Sequence, residues 1–257
     1  MNNYIKVLRP FHWSKNLLIF VPLMAVHSVS LLDYIIVLKS FFIFSLIASS
    51  VYIFNDIFDQ RYDVKNNYKK NRPIASGVIS IKNAFWYGFL LLVIGLIASY
   101  YFVSILFLLI ILFYFIICIF YTLVLKKIEI IDIFCISIFF TIRVITGALI
   151  TNLEISVWII NFSIFLFLSL ASVKRIAEKN TYIENKNYKL SGRSYTQNDL
   201  DFLLIVSTTS GLISLLIFGL YINSEKVSSL YNFPELLNLI TIVLAYWIIY
   251  LNLNVFR

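Results

Sequence analysis

Apolar runs of about twenty residues recur along this chain, separated by short polar or charged breaks. A helix that rises 1.5 Å per residue needs about 20 such residues to cross a bilayer core about 30 Å thick. On that measure eight runs predict membrane spans, at 16–32, 35–55, 83–102, 104–125, 131–150, 156–173, 200–222 and 236–254. The stretch from Asn83 to Leu125 contains no charge and is about twice one span, so a turn near Tyr100–Ser104 must divide it. Backbone groups in lipid must find partners within the chain, which requires helices rather than open strands. The pattern predicts one all-α, polytopic transmembrane bundle covering residues 1–257, with long polar connections at about 56–82 and 174–199.

Composition agrees. Of 257 residues, 61% are hydrophobic and 13% charged, against about 45–50% and about 25% in an ordinary globular chain. A water-soluble fold cannot bury so much apolar surface, so lipid must solvate much of it. No nucleic-acid partner is expected. The start, MNNYIKVLRPFHWSKN, is basic and lacks the small-residue cleavage pattern of a signal peptide, so the expectation is anchorage by the spans themselves. The two cysteines, Cys118 and Cys135, lie inside apolar runs and offer no disulfide framework.

Charge fixes an expected orientation. With eight spans, 18 of the 21 Lys and Arg residues fall on one side, from Lys6 and Arg9 through the 61–82 and 174–193 segments to Arg257. Lys39 and Lys226 fall on the other, and Arg143 lies within a span. The positive-inside rule makes the first side cytoplasmic, and the cytoplasmic (inner) membrane is the expected location. Topology alone does not explain why nine of the thirteen acidic residues share that side. Mixed charge in two long connections suggests a built site.

The sharpest cluster is NDIFDQRYD at 55–63. Asp56, Asp59 and Asp63 have i, i+3, i+7 spacing, so a helix continuing past the second span places all three on one face, with Asn55 beside Asp59. Such oxygen donors suit Mg²⁺, which is commonly held by one or two carboxylates together with substrate phosphates. Acids at a helix C-terminus oppose its dipole, so helix stability does not account for them. The plainer alternative is that nearby lysines simply neutralise them. Lys65, Lys69, Lys70 and Arg72 follow, and cations beside a metal site suggest a diphosphate, whereas a lipid-headgroup patch would have little use for the interleaved acids.

Arg143 stands about three turns inside a span, where an arginine costs about 2.5–3.5 kcal/mol even on the gentlest scale. It should face the bundle interior and meet an anion. Asp132 is eleven residues away, or roughly 16 Å along the axis, too far for direct pairing within that helix. A substrate phosphate is the favoured partner. Lys174 and Arg175 point about 100° apart, so one of the two is expected to face the site, and Glu178 shares the Lys174 face. A surface salt bridge is the competing role for that glutamate. Trp13 reads as an interfacial anchor.

NDIFDQRYD and the following NRPIASG resemble the NDxxDxxxD segment of the UbiA-type intramembrane prenyltransferase superfamily. The resemblance extends to its decaprenyl-phosphate phosphoribosyltransferase branch through LRPFHWSKN at 8–16, YTLVLK at 121–126, the Asp132, Arg143 and Gly147 pattern, and KRIAE at 174–178. Prenyltransferases of the superfamily carry a second DxxxD motif where this chain has KRIAE, which favours the phosphoribosyl branch. Nine spans are usual in the superfamily, against eight read here.

The resemblance implies Mg²⁺-dependent transfer of 5-phosphoribose from phosphoribosyl pyrophosphate to a polyprenyl (decaprenyl) phosphate, in the synthesis of a cell-envelope glycan precursor. It implies metal ligation by Asn55, Asp56, Asp59 and Asp63, the three aspartates being catalytic. Substrate contacts then fall to Lys15, Asn16, Arg61, Lys65, Lys70, Arg72, Tyr121, Lys126, Arg143, Lys174, Arg175 and Glu178. The runner-up activity is transfer of a prenyl group from a prenyl diphosphate to an aromatic or lipid acceptor. A transporter or lipid-binding scaffold is a third class, which the absence of a sequence repeat and the gathering of polar residues near one surface disfavour. The sequence leaves the oligomeric state open.

Overall fold

The computed structural model describes residues 3–28, 30–183, 195–196 and 199–256. Ten α-helices are present among them, with no strand: α1 (Asn3–Leu8), α2 (Val21–Ala25), α3 (Leu31–Asp63), α4 (Ile81–Phe102), α5 (Ile105–Leu123), α6 (Ile131–Ile150), α7 (Val157–Ile183), α8 (Asp199–Ile222), α9 (Glu225–Leu230) and α10 (Leu237–Phe256). Seven are long and apolar enough to cross a membrane: α3 to α8, and α10 with the turn that leads into it. The chain is a multi-pass membrane protein.

Serines start several of these helices. Ser30, Ser80 and Ser104 sit in extended backbone and accept hydrogen bonds from the amides of Asp33, Asn83 and Phe107, so each satisfies a donor that the first turn leaves orphaned. The turn expected near Tyr100–Ser104 is there: α4 ends at Phe102 and Ser104 caps α5.

The apolar run expected to span at 16–32 is not a single α-helix. Residues Pro10–Phe20 form a 3₁₀ rod, α2 adds five residues, and the chain has turned by His27. Prolines at 10 and 22 cannot supply the amides of a continuous helix. The rod is held instead by α3. Trp13 Nε1 donates to Ser49 Oγ (3.0 Å), Asn16 Nδ2 donates to Ser45 Oγ (2.9 Å), and the Phe20 ring lies tilted against Phe41 with ring centres 6.2 Å apart. The partners step steadily down α3 as the rod advances, so the two run antiparallel. The indole of Trp13 is therefore bonded to α3, beyond the interfacial role expected of it.

A second correction concerns the two long connections. The first eight residues of 56–82 belong to α3, and α7 continues through 174–183. At 1.5 Å per residue, 33 residues make α3 about 50 Å long, well beyond a hydrocarbon core of about 30 Å. Its charged end is therefore helix that has left the lipid. Lys, Arg, Ala and Glu are good helix formers, so KRIAE extends α7 in the same way. Glu184, Lys186, Lys189 and Arg193 lie outside the described residues.

The chain forms two compact units, and α6 is divided between them. The first comprises residues up to Ile128 with Ile142–Glu154; the second is built from Glu129–Thr141 and most of the chain from Ile155 onward. In the first, α3 packs against α1, the rod, α4 and α5. The second half of α6 meets the rod at Gly147, where a Cβ would stand 2.0 Å from the Ile19 carbonyl oxygen. Only glycine permits that approach. In the second unit α7 lies along α8, and α10 packs on both. Ile133, Leu168, Ala171, Ile176, Tyr195 and Leu203 form its core.

Candidate functional site

The site is built on the last two turns of α3. Continuation of the helix to Asp63 puts Asp56, Asp59 and Asp63 along one face, as their spacing predicts. Asp56 and Asp63 are buried, at 4% and 2% exposure. Carboxylates so far from water need charged partners; cations from two separate segments supply them, and a third segment supplies one to Asp59. Arg9, at the start of the rod, donates to Asp56 Oδ1 at 2.5 Å. Arg72, from the α3–α4 connection, donates to the same oxygen at 3.0 Å and to Asp63 Oδ2 at 2.6 Å. Lys126, after α5, donates to Asp59 and is itself buried. Asn55 Oδ1 accepts from Thr122 Oγ1 at 3.2 Å.

The α3–α4 connection is folded to deliver Arg72. Asn66 Oδ1 accepts the Tyr68 amide, its carbonyl accepts the Lys70 amide, and Gly77 turns with φ of 76°. Ile74 and Ile79 then plug a cluster with Val7, Ile53, Ala84 and Leu91. Gln60 Nε2 donates to the Ile74 carbonyl at 3.3 Å. Ile74 is fully buried, so Arg72, two residues earlier, is anchored beside α3. Lys65, Lys70 and Arg61 are instead exposed, and Lys70 Nζ reaches Asn67 Oδ1 at 3.5 Å. Together with Arg72, the cations bonded to the α3 carboxylates are Arg9 and Lys126 rather than Lys65 and Lys70.

Deeper in the same unit lies Arg143, 3% exposed. Its Nε donates to Asn16 Oδ1 and its Nη2 to the Tyr114 hydroxyl, each at 2.8 Å. The guanidinium also lies over the rings of Phe44 (5.0 Å) and Tyr114 (5.2 Å), contacts that favour a desolvated cation. Lys15 is half-buried on the rod. Burial first, then the positive fields of Arg143 and Arg9, hold its ammonium below the usual lysine pKa. Tyr121 is half-buried at the end of α5.

The second unit has its own charged cluster. Asp132, fully buried, accepts from the Arg175 guanidinium, which is 2% exposed. Arg175 Nη1 also donates to Glu178 at 2.5 Å. Glu178 therefore orients Arg175 more directly than it does Lys174, whose exposed ammonium is 3.9 Å away. Asp132 is committed to Arg175, as the distance along α6 made it unavailable to Arg143.

Among the described residues, no group of three or more His, Cys, Asp or Glu converges closely enough to enclose a metal by itself. The donors do fit a hard cation shared with phosphate. Asp56 and Asp59 are one turn apart, and Mg²⁺ commonly takes one or two carboxylates and completes its shell with phosphate oxygens and water.

The model of the UbiA prenyltransferase family matches residues 16–252. This chain belongs to the UbiA prenyltransferase family. Its relatives include an uncharacterized protein, y4nM, of Sinorhizobium fredii, 32% identical over 252 residues. That match covers 96% of this chain and 48% of y4nM, so the chain spans about half the length of that relative. Nodulation protein NoeC of Azorhizobium caulinodans is 27% identical over 258 residues, covering 95% of this chain and 80% of NoeC. A decaprenyl-phosphate phosphoribosyltransferase of Mycolicibacterium smegmatis is 33% identical over 220 residues, covering 83% and 69% respectively. Among solved structures, a UbiA homolog from Archaeoglobus fulgidus bound to GPP and Mg²⁺ aligns with a TM-score of 0.76 at 16% identity. It covers 98% of this chain and 86% of the homolog, a likeness that establishes the UbiA fold.

Arg9 is the residue of this charged cluster that sequence reasoning did not single out. It counts there as one more charge near the N-terminus and as a member of the LRPFHWSKN segment, with no role of its own. Its one local signal is LRP, an arginine before proline, which recurs as NRP at Arg72.

Proposed function

We propose that this UbiA-family enzyme transfers 5-phosphoribose from phosphoribosyl pyrophosphate to a polyprenyl phosphate, for synthesis of a cell-envelope glycan precursor. The observation that carries the reading is the row of α3 carboxylates interleaved with Arg9, Arg72 and Lys126. Alternating acids and cations suit a ligand that brings both a divalent ion and several phosphate oxygens. Two further features favour the phosphoribosyl donor over a prenyl diphosphate. Where prenyltransferases of the resembled superfamily carry a second acidic motif, this chain has Arg175 braced by Asp132 and Glu178. The similarity to the mycobacterial phosphoribosyltransferase also extends over 83% of the chain.

On this reading Asn55, Asp56, Asp59 and Asp63 would hold Mg²⁺ with the donor's pyrophosphate. When bound, the ion supplies charge stabilisation to the departing pyrophosphate. Arg9, Arg72 and Lys126 neutralise the remaining pyrophosphate oxygens. An oxygen of the acceptor phosphate forms the new bond to ribose C1 as the C1–O bond to pyrophosphate breaks, and pyrophosphate leaves. That oxygen is already anionic, so no general base is required, consistent with a chain holding only two histidines. Arg143, with Lys15 nearby, is placed to attract an anion into an otherwise apolar interior, and the acceptor phosphate is the ligand that fits. The N-terminus and the α3 end face the cytoplasm, where the donor is made. The Arg9–Asp56 pair supports the shared side, since it ties the first basic segment to the second.

The second reading, prenyl transfer from a prenyl diphosphate, draws on the family's name and on the Archaeoglobus fulgidus neighbour bound to GPP. Membranes containing the chain, given labelled phosphoribosyl pyrophosphate, decaprenyl phosphate and Mg²⁺, should yield labelled lipid and free pyrophosphate. Turnover of a prenyl diphosphate with no labelled lipid reverses the ranking.

A further inference from the structure

The three acids that would hold the metal are not standing open. Asp56 and Asp63 have side chains 5% and 2% exposed, while the arginines covering them, Arg9 and Arg72, are 19% and 27% exposed. The guanidinium groups therefore lie on the solvent side of the carboxylates. One oxygen, Asp56 Oδ1, receives both arginines, and one nitrogen, Arg72 Nη1, bridges Asp56 and Asp63 across two turns of α3. Two acids and two arginines make a locally neutral set.

The backbone at both arginines is constrained, which leaves their long side chains free to re-aim. Each precedes a proline, Pro10 and Pro73, whose ring restricts the residue before it. Arg9 has φ 54° and ψ 58°, a left-handed conformation that costs a side-chain-bearing residue free energy and persists only where its surroundings enforce it. The Tyr52 ring, 5.2 Å from the Arg9 guanidinium carbon, supports the head group from the side. Arg72 is anchored by the buried Ile74.

We propose that Arg9 and Arg72 form an interlock: they keep a bare divalent cation off the α3 carboxylates and yield those carboxylates only when pyrophosphate arrives to take the arginines in exchange. The inference rests on the metal–pyrophosphate site proposed above and adds an order of binding to it. A bare Mg²⁺ would add two positive charges to a set already neutral, beside buried groups where repulsion is poorly screened. A cation entering with pyrophosphate brings the compensating negative charge. The carboxylates then turn to the metal and the arginines to the phosphate oxygens, so every charge is paired before and after. Loading in this order prevents metal from occupying the site without the donor.

Binding of Mn²⁺, followed through the paramagnetic resonance of the free ion, tests the interlock on the purified full chain in detergent at mildly alkaline pH. Inorganic pyrophosphate serves as the second probe. The wild type should bind Mn²⁺ weakly alone and tightly with pyrophosphate. Arg9→Gln and Arg72→Gln should each bind Mn²⁺ alone about tenfold more tightly than the wild type, the scale of one lost charge-assisted hydrogen bond, while gaining less from pyrophosphate. Arg72→Lys keeps the charge and should stay near the wild type. A purely structural role for the arginines predicts no gain in metal affinity. Glutamine variants that bind Mn²⁺ no more tightly, in protein that still binds it with pyrophosphate, overturn the interlock alone. So does wild-type chain that holds Mn²⁺ equally well with and without pyrophosphate, a result no variant's folding can obscure. A wild type that fails to bind Mn²⁺ even with pyrophosphate overturns the underlying site reading together with the interlock.

Discussion

At the residue scale the two charged clusters call for different tests. Asp59 is the α3 acid that Lys126 holds, and the least buried of the three. Asp59→Ala should abolish Mg²⁺-dependent turnover and leave the circular dichroism of the folded chain unchanged; full activity removes the metal reading. Arg175 and Asp132, by contrast, are buried together at 2% and 0% side-chain exposure. Breaking one partner of such a pair typically costs about 3–5 kcal/mol, whereas replacing both with apolar side chains of similar volume is often neutral. Arg175→Met should therefore destabilise strongly, and Asp132→Leu with Arg175→Met should recover most of the loss, as read by denaturant unfolding in micelles. A double variant as unstable as the single one contradicts that pairing. The α3 acids were legible in sequence because a helix converts their i, i+3, i+7 spacing directly into one face. Of their partners, Arg72 and Lys126 were named from sequence, but Arg9 was not. Arg9 lies 47 positions from Asp56, and a left-handed residue and a 3₁₀ rod bring it there. Lys65 and Lys70 stand nearer in sequence, yet the turn at Asn66 carries them outward to solvent.

At the element scale, the rod and Gly147 are coupled. A methyl group at Gly147 meets the Ile19 carbonyl at 2.0 Å, and backbone cannot rotate out of the way as a side chain can. Gly147→Ala should cost about 1–3 kcal/mol, the usual range for overpacking, and lower the melting temperature in detergent. It should also weaken donor and acceptor use together, because the rod carries Arg9, Lys15 and Asn16 toward α3 and Arg143. An unchanged melting temperature shows that the contact is looser than described. The long helices were readable from apolar run length, since lipid thickness sets it. The rod was not, because 16–32 is as apolar as an α-helical span and only Pro10 and Pro22 hint that its hydrogen bonding differs. The helical extensions of α3 and α7 were missed for the reverse reason. Charge marks where a helix leaves lipid, and the helix itself runs on.

At the scale of the whole molecule, charge asymmetry and the site agree. The positive-inside bias supports the proposal that the basic segments face the cytoplasm, and the Arg9–Asp56 and Lys126–Asp59 pairs link three of those segments at one end of α3. In a background with Cys118→Ala and Cys135→Ala, single cysteines at Lys65 and Lys39 should label from opposite faces. A membrane-impermeant thiol reagent added to intact cells should reach the Lys39 position and spare Lys65. The reverse pattern moves the site to the outer face, away from a cytoplasmic donor. The family was legible because its motifs are short and local, whereas the donor depends on how charges from distant segments meet.

The central claim is that the α3 carboxylates and the cations beside them receive the pyrophosphate of a phosphoribosyl donor. An experimental structure with phosphoribosyl pyrophosphate and Mg²⁺ tests it most directly. The account predicts the pyrophosphate between the Asp56–Asp63 face and Arg9, Arg72 and Lys126, with the arginines moved from carboxylate to phosphate oxygens. A donor bound elsewhere, with Arg9 and Arg72 still closed on Asp56, contradicts it.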